Sequence, residues 1–337
     1  MVRIPPQPDT TMRFVLKLLL FVAVAAVASW LIVPRVWQPG MTRYQHNQAP
    51  PARPSPSGVT LTWMGVSSLL VRDGEHALMI DPFFTRPAGL WGLLSNQAIA
   101  PDHEAIERGL TRLGVTRLDA VLVSHSHFDH AMDAGVVASM SDADLIGSPS
   151  TLNIGRGAGL PGERLKQAAP EQPMRYGPFT LHWIRSQHAG ATGGRPTGDI
   201  TAPLTPPAGY MDYRQGGTWS ILIEHQDGTL LHHGSAGFEP GALEPYQADI
   251  AILGVALVDD YSRYFDQVID ATGAKTIIPV HWDDFTRPLN KPLRPFPLIV
   301  RLDRFFNAVD YRADLAAVTL PLGQATQAPW PASPALN

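Results

Sequence analysis

Cysteine is absent from all 337 residues. Its absence excludes disulfides, thiolate zinc sites and a cysteine nucleophile, and leaves histidine and the carboxylates as the side chains able to hold a metal. A positive balance is missing too: 26 Lys and Arg stand against 30 Asp and Glu, a formal net charge of −4. Nucleic-acid binding needs a basic face, so nucleic acid is not an expected partner. No internal repeat is visible, and the 32 prolines and 29 glycines gather mainly in connections, which suits a loop-rich enzyme better than a repeat scaffold. Apolar residues make up 45% of the chain, enough for a sizeable core, while the length admits one large domain or two ordinary ones. Composition sets no oligomeric state.

What the sequence does have is a long apolar run near its start. Arg3, Arg13 and Lys17 precede LLLFVAVAAVASWLIV, Leu18 to Val33, and Phe14 to Leu16 extend the run backwards. A helix crossing the bilayer core needs roughly 20 mainly apolar residues, and Lys17 can snorkel at its end. Ala26-Val27-Ala28 offers an A-x-A cleavage pattern, yet the run continues through Trp30 to Val33, which favours an uncleaved anchor. The basic start places residues 1–13 in the cytoplasm and 14–33 in the membrane as an anchor or signal segment. The expectation is a single-pass inner-membrane protein whose body faces the periplasm or exterior. Residues 34–57 read as a Pro-rich linker and 324–337 as a flexible tail, leaving 58–323 as the folded body.

Within that body short strand-like runs alternate with helical ones. VTLTWM, SSLLVR and HALMID read as an antiparallel meander, with Asp73-Gly74 at a turn. HEAIERGLTRLG has helical periodicity, and Gly114 stands where a helix would stop. LDAVLVS is a buried strand, followed by a helix over AMDAGVVASM. FTLHWI, TWSILIEH, TLLHHG, IAILGV and KTIIPVH read as later strands, with a helix near Asp260–Thr272. Meander pairs mixed with βα units predict a layered α/β or α+β body.

The strand LDAVLVS delivers the sequence HSHFDH. His125 and His127 are one residue apart, so both point the same way from an extended segment, and the turn that follows can bring Asp129 and His130 alongside. Imidazoles and a carboxylate at the end of a buried strand suit zinc or another borderline divalent ion. A lone buried histidine would more simply satisfy a hydrogen bond, but three with an aspartate in six residues exceed that need.

HSHFDH resembles the H-x-H-x-D-H signature of the metallo-β-lactamase-fold hydrolases. TWMGVSSLLVRDGEHALMIDPFF resembles the opening strands of the branch that includes ascorbate-phosphate lactonases and N-acyl phosphatidylethanolamine phospholipases D. Asp81-Pro82, His188 in RSQHAG and His281 in IPVHWDDF match further motifs of that branch, so the likeness runs from about Thr60 to Asp284. The resemblance implies a four-layer αββα sandwich and two adjacent metal positions. His125, His127 and His188 would hold the first ion; Asp129, His130 and His281 would hold the second. One or two zinc ions are implied, with manganese or iron(II) as alternatives. Metal-activated water would be the nucleophile, Asp129 would also orient it, and Asp81 would fix a ligand imidazole.

One departure bears on the chemistry. The family places a metal-bridging aspartate in a G-D-x-G turn, and the matching turn here, LLHHGSAGF, carries Ser235. A neutral hydroxyl is a poor ligand for a dication. Three outcomes stay open: one tightly held ion that still supports hydrolysis, compensation by Ser235 itself, His233, Asp283 or Asp284, or a site that binds a ligand with little catalysis. Val66 is a second departure, standing where relatives of this branch often carry histidine. His232 and His233 are expected to split, one buried and one exposed.

Substrate signals are thinner. FFTRPAGLWGLLSNQ, Phe83 to Gln97, could form an apolar substrate wall, dip into a membrane surface or simply pack into the body. The stretch after His188 could be a lid carrying Arg195, Asp199, Tyr210 and Tyr213, with surface decoration the default for each. The resulting expectation is a membrane-anchored metallohydrolase acting on a phosphodiester, lactone or related bond in a small-molecule or lipid-like substrate. The alternative is a ligand-binding or assembly protein that reuses the fold.

Overall fold

Alternation of side chains sorts two sheets into a buried interior and two helix-covered faces. The computed structural model describes residues 10–36, 40–51, 58–87, 89–190 and 196–331. It divides into two units, residues 1–38 and 39–337. In the first, a helix over Thr10–Val36 contains an apolar span, Met12–Val33, of 22 residues with exposed side chains. At 1.5 Å per residue that span is about 33 Å long, matching a hydrocarbon core of about 30 Å. The same length and composition also suit a signal sequence.

In the second unit the strands along the chain are β1 (Thr60–Trp63), β2 (Leu69–Asp73), β3 (His76–Ile80), β4 (Ala98–Ile99) and β5 (Ala120–Leu122). Then come β6 (Asp144–Gly147), β7 (Leu165–Gln167), β8 (Met174–Tyr176), β9 (Phe179–Ser186), β10 (Ala208–Gly209) and β11 (Thr218–His225). The last are β12 (Gly228–His233), β13 (Ile250–Gly254), β14 (Thr276–Val280), β15 (Ala316–Ala317) and β16 (Thr326–Gln327). Among the described residues they form one mixed sheet in the order β16-β1-β2-β3-β5-β6-β7 and another in the order β15-β14-β13-β12-β11-β9-β8, with β10 and β4 paired apart.

Leu61, Leu69, Val71, Leu78, Ile80, Ala120 and Leu122 from the first sheet join Phe179, Leu181, Trp183, Ile221 and Ile223 from the second in one buried cluster. The alternate residues Leu70, Ala77, Met79, Val121 and Val123 face outward and pack with Ile106 and Leu110 of the helix His103–Arg112 and with Ala134 and Val137 of the helix Ala134–Met140. On the far side, Tyr261, Phe265, Phe305 and Phe306, from the helices Tyr261–Phe265 and Leu302–Asp310, cover the second sheet. The expected αββα sandwich is the observed architecture.

Both ends of the body hold more structure than composition suggested. Within the expected linker, residues Met41–Asn47 form a 3₁₀ helix whose buried Tyr44 stacks on Phe306, ring centroids 3.8 Å apart. Ala49 N donates to Thr319 O at 2.9 Å, tying this segment to the body. Within the expected tail, β16 pairs antiparallel with β1, and Ala328 N donates to Val59 O at 2.8 Å. Backbone groups at an open sheet edge take such partners whatever the side chains are.

Candidate metal centre

The candidate centre lies where β3, β5, β9 and β14 end, on the four connections that follow. β5 feeds Ser124 to His127 and then the short helix Phe128–Ala131, so His125 and His127 leave an extended segment while Asp129 and His130 come from its first turn. Asp81 follows β3 with φ +45°, and His281 follows β14 with φ +56°, both in the left-handed region that costs a branched side chain. Each is held there by neighbours: Asp81 N donates to Leu122 O at 2.8 Å, and His281 N donates to Val66 O at 2.7 Å. Uncommon backbone of this kind collects at functional sites.

Six side chains meet in two groups. His125, His127 and His188 each present a ring nitrogen within 4.8 Å of the others, and so do the donor atoms of Asp129, His130 and His281. His281 Nε2 lies 3.3 Å and His130 Nε2 3.6 Å from Asp129 Oδ2. His125 and His130 stack with ring centroids 3.9 Å apart, which links the two groups.

Hydrogen bonding decides where four of the five imidazoles keep their lone pairs. Ser124 Oγ donates to Asp81 Oδ2 at 2.6 Å, so it accepts at 3.2 Å from His125 Nδ1–H and leaves the His125 lone pair on Nε2. His130 Nδ1–H donates to Asp81 Oδ2 at 2.8 Å, His188 Nδ1–H to Ala189 O at 3.1 Å, and His127 Nε2–H to Pro196 O at 3.2 Å. These tautomers are assigned from the acceptors around each ring. All four lone pairs then turn inward, and His125 Nε2 stands 3.1 Å from His127 Nδ1. Two facing lone pairs repel unless a cation lies between them, so the residues present fit a divalent ion.

The electrostatics agree. Burial, reinforced by the neighbouring histidines, holds His125 well below its ordinary pKa and keeps it neutral. Burial would raise Asp129, but His130, His281 and His127 overcome it and hold the carboxylate below its usual range. His130 is raised: burial opposes its charge, and Asp129 and Asp81 outweigh burial. The neutral His125 and the ionised Asp129 are in the form a metal requires, whereas His130, drawn towards its charged form by two carboxylates, would release a proton to an ion.

The other residues singled out from the sequence fall elsewhere. Ser235 Oγ accepts from Ala189 N at 2.9 Å beside His188, so the hydroxyl braces that loop. His233 is directed away: its Nδ1 lies 2.7 Å from Ser220 Oγ and its ring packs near Tyr264. Asp283 accepts from Val66 N at 2.6 Å and Arg86 at 2.9 Å, and Asp284 is chelated by Arg294 at 2.7 and 2.9 Å. None of His233, Asp283 and Asp284 joins either group, because each already has a structural partner. His232 and His233 do not split; both are buried, since β12 is an interior strand with both faces covered.

From the expected lid, Tyr213 is fully buried core, Asp199 accepts a 3.5 Å bond from Ser150, and Arg195 lies outside the described residues. Tyr210 reaches the centre. It lines a cavity of about 200 Å³ shared with His127, Asp129, His188, Ser235 and His281. Phe128, Leu257, Phe285, Phe296 and Ile299 supply apolar wall. Burial and the Asp129 carboxylate push the Tyr210 phenol up to about 12, so it stays a neutral donor. Sequence reasoning left Tyr210 on the surface by default; its place in a Pro- and Gly-rich loop gives no periodicity from which burial could be read. Ser124, between β5 and His125, belongs to no ligand motif, although it sets the His125 tautomer.

The metallo-beta-lactamase superfamily model matches residues 61–242, and the chain belongs to that superfamily. A UPF0173 metal-dependent hydrolase of Myxococcus xanthus is 25% identical over 282 residues, covering 80% of this chain and 86% of the relative. A probable L-ascorbate-6-phosphate lactonase UlaG of Escherichia coli is 22% identical over 256 residues, covering 68% and 71%. Among solved structures, an isothiocyanate hydrolase from Delia radicum gut bacteria superposes with a TM-score of 0.50 at 14% identity, covering 81% of this chain and 100% of that one. This likeness concerns the fold.

Proposed function

We propose that this protein is a metal-dependent hydrolase that uses the His/Asp centre on a lactone, phosphodiester or related bond. The observation that carries the reading is the inward convergence of the lone pairs of His125, His127, His130 and His188, each ring fixed from behind by an outer acceptor. His125, His127 and His188 would hold one divalent ion, and Asp129, His130 and His281 another, with zinc the ion this N/O donor set suits best. Bound there, such ions supply Lewis acidity and bring the pKa of water towards neutrality. Asp81 holds His130 and, through Ser124, His125 at fixed orientation. Asp129, ionised and beside the cavity, would orient an attacking water. Tyr210 offers the substrate a proton-bearing hydroxyl in the same cavity.

The two positions are unequal. Ser235 brings no charge, and His233, Asp283 and Asp284 are engaged elsewhere, so among the described residues no second carboxylate joins the two groups. One ion held through dialysis and a second only in excess metal is the expected pattern. Elemental mass spectrometry of the full-length chain, with His127→Ala alongside, measures this. About one ion per chain, reduced in the variant, together with ester or lactone hydrolysis lost to a chelator, supports the reading. No ion retained after loading with zinc, manganese or iron(II) would sink it in favour of a binding protein. Recovery of the full-length chain in the membrane fraction, with the body on the outer side, is the location proposed.

A further inference from the structure

We infer that the alcohol side of the substrate is a saccharide, held in an open groove beside the His/Asp centre. This inference rests on the hydrolase reading above and narrows it. The groove has a volume of about 1150 Å³ and meets the smaller cavity at His188, Ala236 and Leu257. His188 is a candidate ligand, so the two spaces join where a bond would be cut. Sites for drug-sized ligands run to about 300–1,000 Å³, so the groove has room for more than one sugar ring.

Donors and acceptors stand together around this groove. Arg185, Arg263, Gln187 and Gln215 bring donors, while Glu239, Asp259 and Asp260 bring acceptors. The two arginines lie over the Trp219 and Phe238 rings, 5.6 and 5.2 Å from their centroids. A guanidinium carried on a ring face keeps its N–H edge for a ligand. Asp260 caps the helix Tyr261–Phe265 through Ser262 N at 2.9 Å and Arg263 N at 3.3 Å. Glu239 accepts from Gln187 Nε2 at 3.0 Å, and a carboxylate has lone pairs for further bonds. An anionic ligand would face three carboxylates, and a cationic one two arginines, so neither sign of charge is matched along the groove. A neutral polyhydroxyl ligand satisfies both kinds of group, because each sugar hydroxyl donates once and accepts twice. The apolar wall of Phe285, Phe296 and Ile299 is left to the other side of the bond. Hydrolysis of an acyl ester consumes one water. The water oxygen bonds to the acyl carbon, and the bond from that carbon to the saccharide oxygen breaks. The saccharide oxygen takes one proton of the water, and the other is released as the acid ionises.

The test uses the full-length, metal-loaded chain in nanodiscs with butanoyl esters that differ only in the alcohol. Maltotriose, cellotriose and chitotriose supply the saccharides. Methanol, hexanol, a hydroxybutyl phosphate and the serine of a blocked tripeptide supply the comparison. The expected result is a kcat/KM at least about tenfold higher for the best trisaccharide ester than for any comparison ester, carried by KM. Calorimetry should show the same free trisaccharide binding. Arg185→Ala and Arg263→Ala should each cut the trisaccharide-to-methyl ratio about tenfold and weaken the free sugar by a similar factor, with far-UV circular dichroism unchanged.

Equal kcat/KM for the methyl ester and all three trisaccharide esters overturns the saccharide and leaves the hydrolase reading standing. The highest value for the hexyl, phosphate or peptide ester overturns it too, in favour of that class. A sugar preference untouched by both arginine variants removes the groove as its seat. Failure of the parent reading looks different: a free trisaccharide binds, Arg263→Ala weakens it, and no ester is cut. That result keeps the saccharide in the groove and removes the hydrolase.

Discussion

Two buried aspartates near the centre, Asp81 and Asp133, have opposite fates. Asp81 accepts from Ser124 N at 2.7 Å, Ser124 Oγ at 2.6 Å and His130 Nδ1 at 2.8 Å, so its charge is distributed over three donors and orients two rings. Asp133 is fully buried and accepts from Phe84 N at 2.8 Å and Thr85 N at 2.7 Å, both on Oδ2, with the Thr85 side chain adding to them. Its Oδ1 has no partner. Burial outweighs the two amides and the Thr85 side chain and pushes Asp133 up to about 6. A carboxyl raised from about 4 when unfolded contributes stability that is complete below pH ~4 and lost as pH rises through ~6; two pKa units correspond to about 3 kcal/mol. Asparagine can accept both amide protons through its carbonyl oxygen and cannot ionise. Asp133→Asn should thus gain about 3 kcal/mol on the wild type between pH 4 and pH 7. Urea unfolding of both proteins at one-unit pH steps reads this difference directly, and parallel curves would mean Asp133 keeps an ordinary pKa.

At the scale of elements, legibility followed how local each signal was. The strands β1 to β3, β5, β9 and β11 to β14 stood out as buried or alternating runs, and HSHFDH placed four candidate ligands through one strand end and one turn. His188 and His281 are 61 and 154 residues beyond His127 by numbering, and only the resemblance to a family joined them to it. The fate of Asp283 and Asp284 was not legible, because Arg86 and Arg294 are tertiary partners that no spacing announces. Nor was the order at the two ends of the body. Composition rich in Pro and Gln reads as spacer, yet β16 exists because the edge of β1 offers free backbone groups, and residues 41–49 settle because Phe306 offers a flat face to Tyr44. That contact has a measurable consequence. Tyr44 is 7% exposed, and removing its ring should leave a void beside Phe306. Tyr44→Ala is expected to cost about 2–3 kcal/mol, within the range for large-to-small core changes. The urea midpoint of the full-length chain checks it, and an unmoved midpoint would show that the strap adds nothing to the fold. Truncations meant to free the body should begin before Gly40 rather than within the strap.

At the scale of the whole molecule, the apolar helix and the body make different demands on their surroundings. The span Met12–Val33 exposes nearly every side chain, among them Phe14, Leu20, Phe21 and Trp30 at 66 to 75%. So long an apolar surface is unfavourable in water, and a bilayer or cleavage must relieve it. The two reliefs differ in mass and in partition. An uncleaved anchor keeps the chain at its full 36.6 kDa and in the membrane pellet through an alkaline carbonate wash. Cleavage after Ala28 would release a shorter, soluble body. The apolar run passes Ala28 by five residues to Val33, so a cut there would leave Trp30 to Val33 exposed at the new terminus. The anchor is therefore the expected outcome, measured by intact mass of the washed pellet. A protease added to spheroplasts should then degrade the body while a cytoplasmic marker survives. Protection of the body would reverse the orientation read from Arg3, Arg13 and Lys17, and a soluble, shortened product would replace the anchor with a signal sequence.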